Sequence, residues 1–155
     1  MKSSVHILAD RGNLKAFRVE KTANDRPPRL RLVEAFSFAD AHRKIRDQNT
    51  DMAGRFPVAG GNGQHQNSIS DRHYEIEATR RSCSQLAAHM NAILSRENPA
   101  RWSFSAPAEI NETILQGVEQ PFRQRIAENH PVDIVNASAA ELLERFSVCA
   151  VEAAN

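Results

Sequence analysis

The feature that most constrains this chain is one long period of apolar residues. Ile69, Ile76, Cys83 and Met90 recur every seven positions, and Leu86, Ala87, Ile93 and Leu94 fall three or four residues away on the same side. That spacing marks one face of a helix about seven turns long. Its expected span is Ser68 to Ser95, with Ser68 and Asp71 placed as a capping box and Asn98-Pro99 as the stop. Ile76, Cys83, Leu86, Met90 and Ile93 are expected to be buried.

The stretch before this helix has the opposite character. Residues 48–67 show no period, and three of the six glycines, Gly60, Gly61 and Gly63, fall within four positions around Asn62, followed by Gln64 and His65. Glycine and asparagine tolerate positive φ, so such a segment turns sharply and exposes backbone N–H groups. Loops longer than about 12–15 residues are uncommon unless functional or disordered. Beyond Phe56 and Val58 little in Gly54–Asn67 is apolar, so the segment is expected to be mobile without a partner.

The remainder alternates strand and helix signals. Val5–Ala9 and Leu14–Val19 flank the turn Asp10-Arg11-Gly12-Asn13 and read as a hairpin. Leu30–Phe36 continues as a third strand after Pro27-Pro28, and Ser37–Gln48 as a short helix. Arg101–Ala106 alternates as a fourth strand, with Trp102 and Phe104 on one face, and Pro131–Val135 reads as a fifth. Helices are expected at Ala108–Gln116, from Pro121 to about Glu128, and from Ala139 to about Val148 behind a Ser138 cap. The fold class is therefore α/β: a single domain, 1–155, with one mixed sheet of about five strands and helices packed on it.

Composition narrows the function classes. No apolar run approaches the roughly 20 residues that span a bilayer, so no membrane partner is expected. Asp10 and Arg11 interrupt any signal-peptide core, which places the expected location in the cytoplasm. Cys83 and Cys149 lack C-x-x-C spacing and read as buried free thiols. Net charge is +1, but residues 1–46 hold eleven Lys/Arg against five Asp/Glu, and the rest nine against fourteen. A basic face toward phosphates competes there with ordinary solvated cations.

Recognised chemical motifs are sparse. Gly60-Gly61-Asn62-Gly63 lacks the following Lys of a phosphate-binding loop. His73 and Glu77 stand one helical turn apart near Glu75, without a second ligand pair, so neither metal nor cofactor is expected. His65 with Asp51 or Asp71 has no Ser or Cys nucleophile motif beside it. His6, His42, His89 and His130 read as surface or satisfied core residues.

Several short motifs resemble the bacterial family of proteins required for attachment to host cells. They are Ala9-Asp10-Arg11 with Ala16-Phe17-Arg18-Val19, Asp51-Met52-Ala53-Gly54-Arg55-Phe56, the long helix with Glu75, Ala78 and Leu86, and Val132–Ser138 with Glu141-Leu142-Leu143. That family is similar to the middle domain of archaeal and eukaryotic peptide-chain release factors, whose Gly-Gly-Gln loop precedes a long helix and promotes peptidyl-tRNA hydrolysis on the ribosome. Carried over, Gly63 and Gln64 match the last two loop positions, while Asn62 stands where the first glycine would be. The resemblance implies Gly63 and Gln64 as catalytic candidates and ribosomal RNA or tRNA as partner.

A glutamine has no useful pKa, so Gln64 would act by placing a water or through backbone N–H stabilisation of an oxyanion. Arg55, His65, Arg72, Arg80 and Arg81 are the candidates for phosphate contact. Two other readings stay open: an adaptor whose loop and basic strands engage a protein partner, affecting attachment to host cells or surfaces, and a domain whose loop closes over a small anion.

Overall fold

The computed structural model describes residues 4–21, 26, 28–37 and 64–152, with side chains described up to residue 145 and, in the long helix, from residue 72 onward. Strands β1 (Ser4–Ala9) and β2 (Asn13–Glu20) form the expected hairpin. Its turn is held by the Asp10 carboxylate, which accepts from the backbone N–H of Gly12 at 2.7 Å and of Asn13 at 2.5 Å. Strand β3 (Arg29–Ser37) pairs antiparallel with β2, and β4 (Arg101–Ser105) lies parallel beside β1. Strand β5 (Ile126–His130) adds parallel to β4, giving one mixed sheet in the order β3-β2-β1-β4-β5. Helices α1 (Gln64–Glu97), α2 (Ala108–Gln116), α3 (Gln120–Arg123) and α4 (Ala139–Glu152) complete the α/β architecture.

Alternation along each strand separates two faces. Val5, Ile7, Leu14, Ala16, Trp102 and Phe104 point one way and meet Cys83, Leu86, Met90, Ile93 and Leu94 of α1 and Ile110 and Ile114 of α2. Leu8 points the other way and is covered by Ile134, Val135 and Leu142. Helix α1 ends at Asn98, whose φ of 42° is the left-handed stop that asparagine tolerates. Helix α4 begins with a reciprocal cap: the Glu141 N–H donates to Ser138 Oγ at 3.2 Å, and the Ser138 N–H donates to Glu141 Oε2 at 3.0 Å.

Four expectations are corrected. The long helix starts at Gln64 rather than Ser68, so Gln64 to Asn67 belong to its first turn and not to a loop. Ile76 is 55 % exposed. The reason is length: 34 residues of helix extend about 51 Å, whereas strands of this size extend about 17–30 Å, so part of α1 must overhang the sheet. The fifth strand is Ile126–His130 rather than 131–135, and α3 stops at Arg123 rather than near Glu128. The bulge between Trp102 and Ser103 puts Ile126 beside Trp102 on the α1 face and Glu128 and His130 on the opposite face, so β5 carries no single apolar row for periodicity to reveal. The more apolar Ile134 and Val135 fold over Leu8 instead. The expected short helix and the mobile segment up to Gly63 fall outside the described residues, apart from Ser37, which closes β3.

Gly117 follows α2 at ordinary helical angles, φ −84° and ψ −8°, so it is not there for conformational freedom. A Cβ at this position would come within 2.6 Å of Ala87 Cβ on α1. Asn91 holds the same approach, donating to the Gly117 carbonyl at 3.1 Å and accepting from the Glu119 N–H at 2.9 Å. Gly117→Ala should destabilise the fold by about 1–3 kcal/mol through overpacking. Ala87→Gly in the same chain should recover much of that loss in urea unfolding; no recovery would mean that the Gly117 approach to Ala87 is not the source.

Candidate functional site

The overhanging part of α1 is where the sequence-derived candidates lead. Residues 72–77 are exposed without interruption, and the first buried side chain described in α1 is Cys83. The helix is anchored by Leu86, Met90, Ile93 and Leu94, all fully buried and worth roughly 1.5–3 kcal/mol each. Nothing comparable holds the described residues before Ala78. Gly63 is joined directly to the first helical residue, Gln64, so the glycine-rich segment leads into the amino end of this stem.

Arg72, Arg80 and Arg81 are all exposed on the stem, but they do not share one face. At 3.6 residues per turn, Arg80 stands roughly 80° and Arg81 roughly 180° around the axis from Arg72. Arg81 is 4.0 Å from Glu77 in an exposed i,i+4 pair. Arg80 instead lines a groove of about 580 Å³ between α1 and α2, with Arg11, Glu75, Ile76, Cys83, Ile110 and Thr113. Arg55, Gly60, Gly61, Asn62 and Gly63 lie outside the described residues, as do the side chains of Gln64 and His65.

Arg11 is a groove residue that sequence reading assigned only to a turn. Its guanidinium pairs with Glu109 at the start of α2, and Asp10 holds the turn that carries it. The Cys83 thiol is buried and pushed up in pKa by that burial, with Arg11 acting against the shift, so it stays protonated near neutrality. A second cleft, about 640 Å³, opens at the carboxyl ends of β1 and β4 between Asp10, Arg11, Asn13, Glu109 and Asp133.

The sheet face away from α1 carries a polar row that the sequence did not reveal. Strand register sets His6 opposite Ser103 and Ser103 opposite Glu128. His130 Nε2 lies 2.9 Å from Glu128 Oε2. Burial pulls the His6 pKa down to about 4, with Glu128 opposing the shift and His130 adding to it. The imidazole is therefore neutral at pH 7. Among the described residues no three His, Cys, Asp or Glu side chains converge as a metal site, and no helix is long and apolar enough to cross a membrane.

A family model described as "Protein required for attachment to host cells" matches residues 7–146. The chain belongs to this family. The match runs from β1 into α4, so the sheet, the stem and the glycine-rich segment all lie within the host-attachment domain. Comparison with curated proteins returned no match.

Buried, neutral His6 makes the stability of this host-attachment protein depend on acid. The unfolded chain binds a proton near pH 6.5 and the folded chain only near pH 4. The stabilisation is thus complete above about pH 6.5 and is lost progressively as pH falls to about 4, a change of about 3 kcal/mol. His6→Gln should flatten this limb in urea unfolding compared at pH 7, 5.5 and 4. An equal acid loss in both proteins would remove His6 as its source.

Proposed function

We propose that this host-attachment protein is a translation-associated domain that presents its Gly-Gln segment to ribosomal RNA or tRNA. The observation that carries the reading is the stem. Helix α1 begins at the residue after Gly63, and its residues 72–77 stand exposed. Such a rod delivers a loop into a recess that the body of the domain does not enter. The spread of Arg72, Arg80 and Arg81 around the axis supports this, because a rod surrounded by phosphates meets them on more than one side. In this reading Gly63 permits close backbone approach, and Gln64 orients water or contributes to oxyanion stabilisation at a peptidyl-tRNA ester. Arg55 and His65 would add phosphate contacts near the tip.

An adaptor role is the second reading, favoured by Tyr74 and Ile76, which are 43 % and 55 % exposed on the same stem. Exposed aromatic and aliphatic side chains suit a protein partner as well as RNA. The family description, attachment to host cells, agrees with an adaptor and does not name a mechanism.

Co-sedimentation with ribosomes separates the two. The translation reading expects association at low salt that weakens about tenfold or more between about 50 and 200 mM. Arg80→Ala with Arg81→Ala should weaken association broadly and flatten its salt dependence. Gly63→Val should spare most of the association and abolish any peptide release from stalled complexes, and Gln64→Gly should abolish release alone. Absence of association at low salt would leave the adaptor reading in place; association without release would mean that Asn62, in place of the first glycine, has cost the chemistry.

A further inference from the structure

We propose that the rim of the sheet at the amino ends of the parallel strands is a separate RNA contact, a row of cations that holds the phosphate backbone. That the polyanion is RNA rests on the translation reading above; the existence of the row does not.

The row is assembled by the fold from three distant segments. Lys21 follows the last residue of β2 and Arg29 opens β3, where it faces Glu20. Arg101 opens β4 opposite Ser4, Arg123 closes α3, and Arg125 immediately precedes β5. With strands about 4.8 Å apart, five strands spread these cations over about 19 Å. Lys21, Arg29, Arg101 and Arg123 are exposed. Arg125 Nη1 donates to Asn98 Oδ1 at 2.9 Å and to the Pro99 carbonyl at 3.3 Å, both neutral acceptors that leave its charge uncompensated.

The described acids at this end are largely committed. Glu97, only 6 % exposed, is held by Arg18 and Arg96, which depress its pKa. Glu20 lies 3.5 Å from Arg31. Glu119 is exposed at the start of α3, with its backbone tied to Asn91 of α1. The opposite rim carries Asp10, Glu109 and Asp133 around Arg11. Among the described residues charge is therefore segregated along the strand axis, in a protein whose net charge is only +1.

The chemistry of the row suits a phosphate backbone. A rim of strand ends is too broad to enter a nucleic-acid groove, so it would contact phosphates without reading bases. A membrane surface would call for apolar side chains beside the cations. The nearest exposed large apolar residue among those described, Leu32, pairs with Phe17 on the α4 side of the sheet rather than on this rim. The rim adjoins Glu97, the last residue of α1, while the Gly-Gln segment precedes its first. The two contacts thus lie at opposite ends of a helix about 51 Å long, and together they would tie one RNA assembly at two points.

The test is fluorescence anisotropy of the full chain with a labelled single-stranded RNA of about 20 nucleotides. Engagement of about three to four phosphates gives a slope of about −2 to −3 in log affinity against log salt. Arg101→Glu with Arg123→Glu should weaken binding at least tenfold and reduce that slope, with Arg101→Gln and Arg123→Gln intermediate and the thermal midpoint unchanged. RNA affinity indifferent to the rim changes would overturn the proposal. So would binding to vesicles rich in phosphatidylserine with none to RNA. RNA affinity that depends on the rim, in a protein that does not associate with ribosomes, would fault the translation reading and leave the rim standing.

Discussion

The structure depends on the seating of the second half of α1 against the β1 and β4 face of the sheet. Cys83, Leu86, Met90, Ile93 and Leu94 meet Val5, Ile7, Trp102 and Phe104 there, and α2 completes the enclosure through Ile110 and Ile114. Every other feature is placed by that contact. It sets which strand residues turn toward helix and which turn away, and so leaves His6, Ser103 and Glu128 abreast on the far face. It also fixes where α1 leaves the sheet, and the remainder of the helix becomes a stem that borders only the open groove shared with Arg11 and α2 among the described residues.

Charge follows the same geometry. The stem alone carries no net charge, since Asp71, Glu75 and Glu77 balance Arg72, Arg80 and Arg81. A polyanion held by the stem alone would gain little electrostatic affinity, because each exposed cation contributes modestly and salt screens it. The rim at the other end concentrates cations drawn from both halves of the chain. An excess visible in residues 1–46 as composition becomes a surface only when Arg101, Arg123 and Arg125 are brought alongside it.

Much of the fold was legible because its signals are local. The 3.6-residue period located α1, the Asp10-Arg11-Gly12-Asn13 turn located the first hairpin, and Ala108–Gln116 agrees with the helix found. Ile76 misled because periodicity assigns a face to a helix without saying how far the opposing surface extends. β5 misled because a half-buried edge strand such as Ile126-Ala127-Glu128-Asn129-His130 has weak hydrophobic alternation, while the more apolar Val132-Asp133-Ile134-Val135 has the composition of a strand and the position of a lid over Leu8. The candidate site was legible only as a list. Sequence spacing grouped Arg72, Arg80 and Arg81 but not their directions, and it gave no sign that Arg11 would join Arg80 across α1 and α2.

The close approach of Gly117 to Ala87, with Asn91 bridging both sides of it, has a mechanical consequence. It clamps α1 at a point well inside its length, which makes the helix a cantilever. The arm from Gln64 to about Ser82 is about 28 Å long, and the clamped root is shorter. A load applied at the tip is therefore resisted as torque at the Ala87–Gly117 contact, and the backbone tie from Asn91 to Glu119 passes that torque to the turn leading into α3. Deflection would begin where burial ends, near Cys83, while the root and the sheet behind it stay in register.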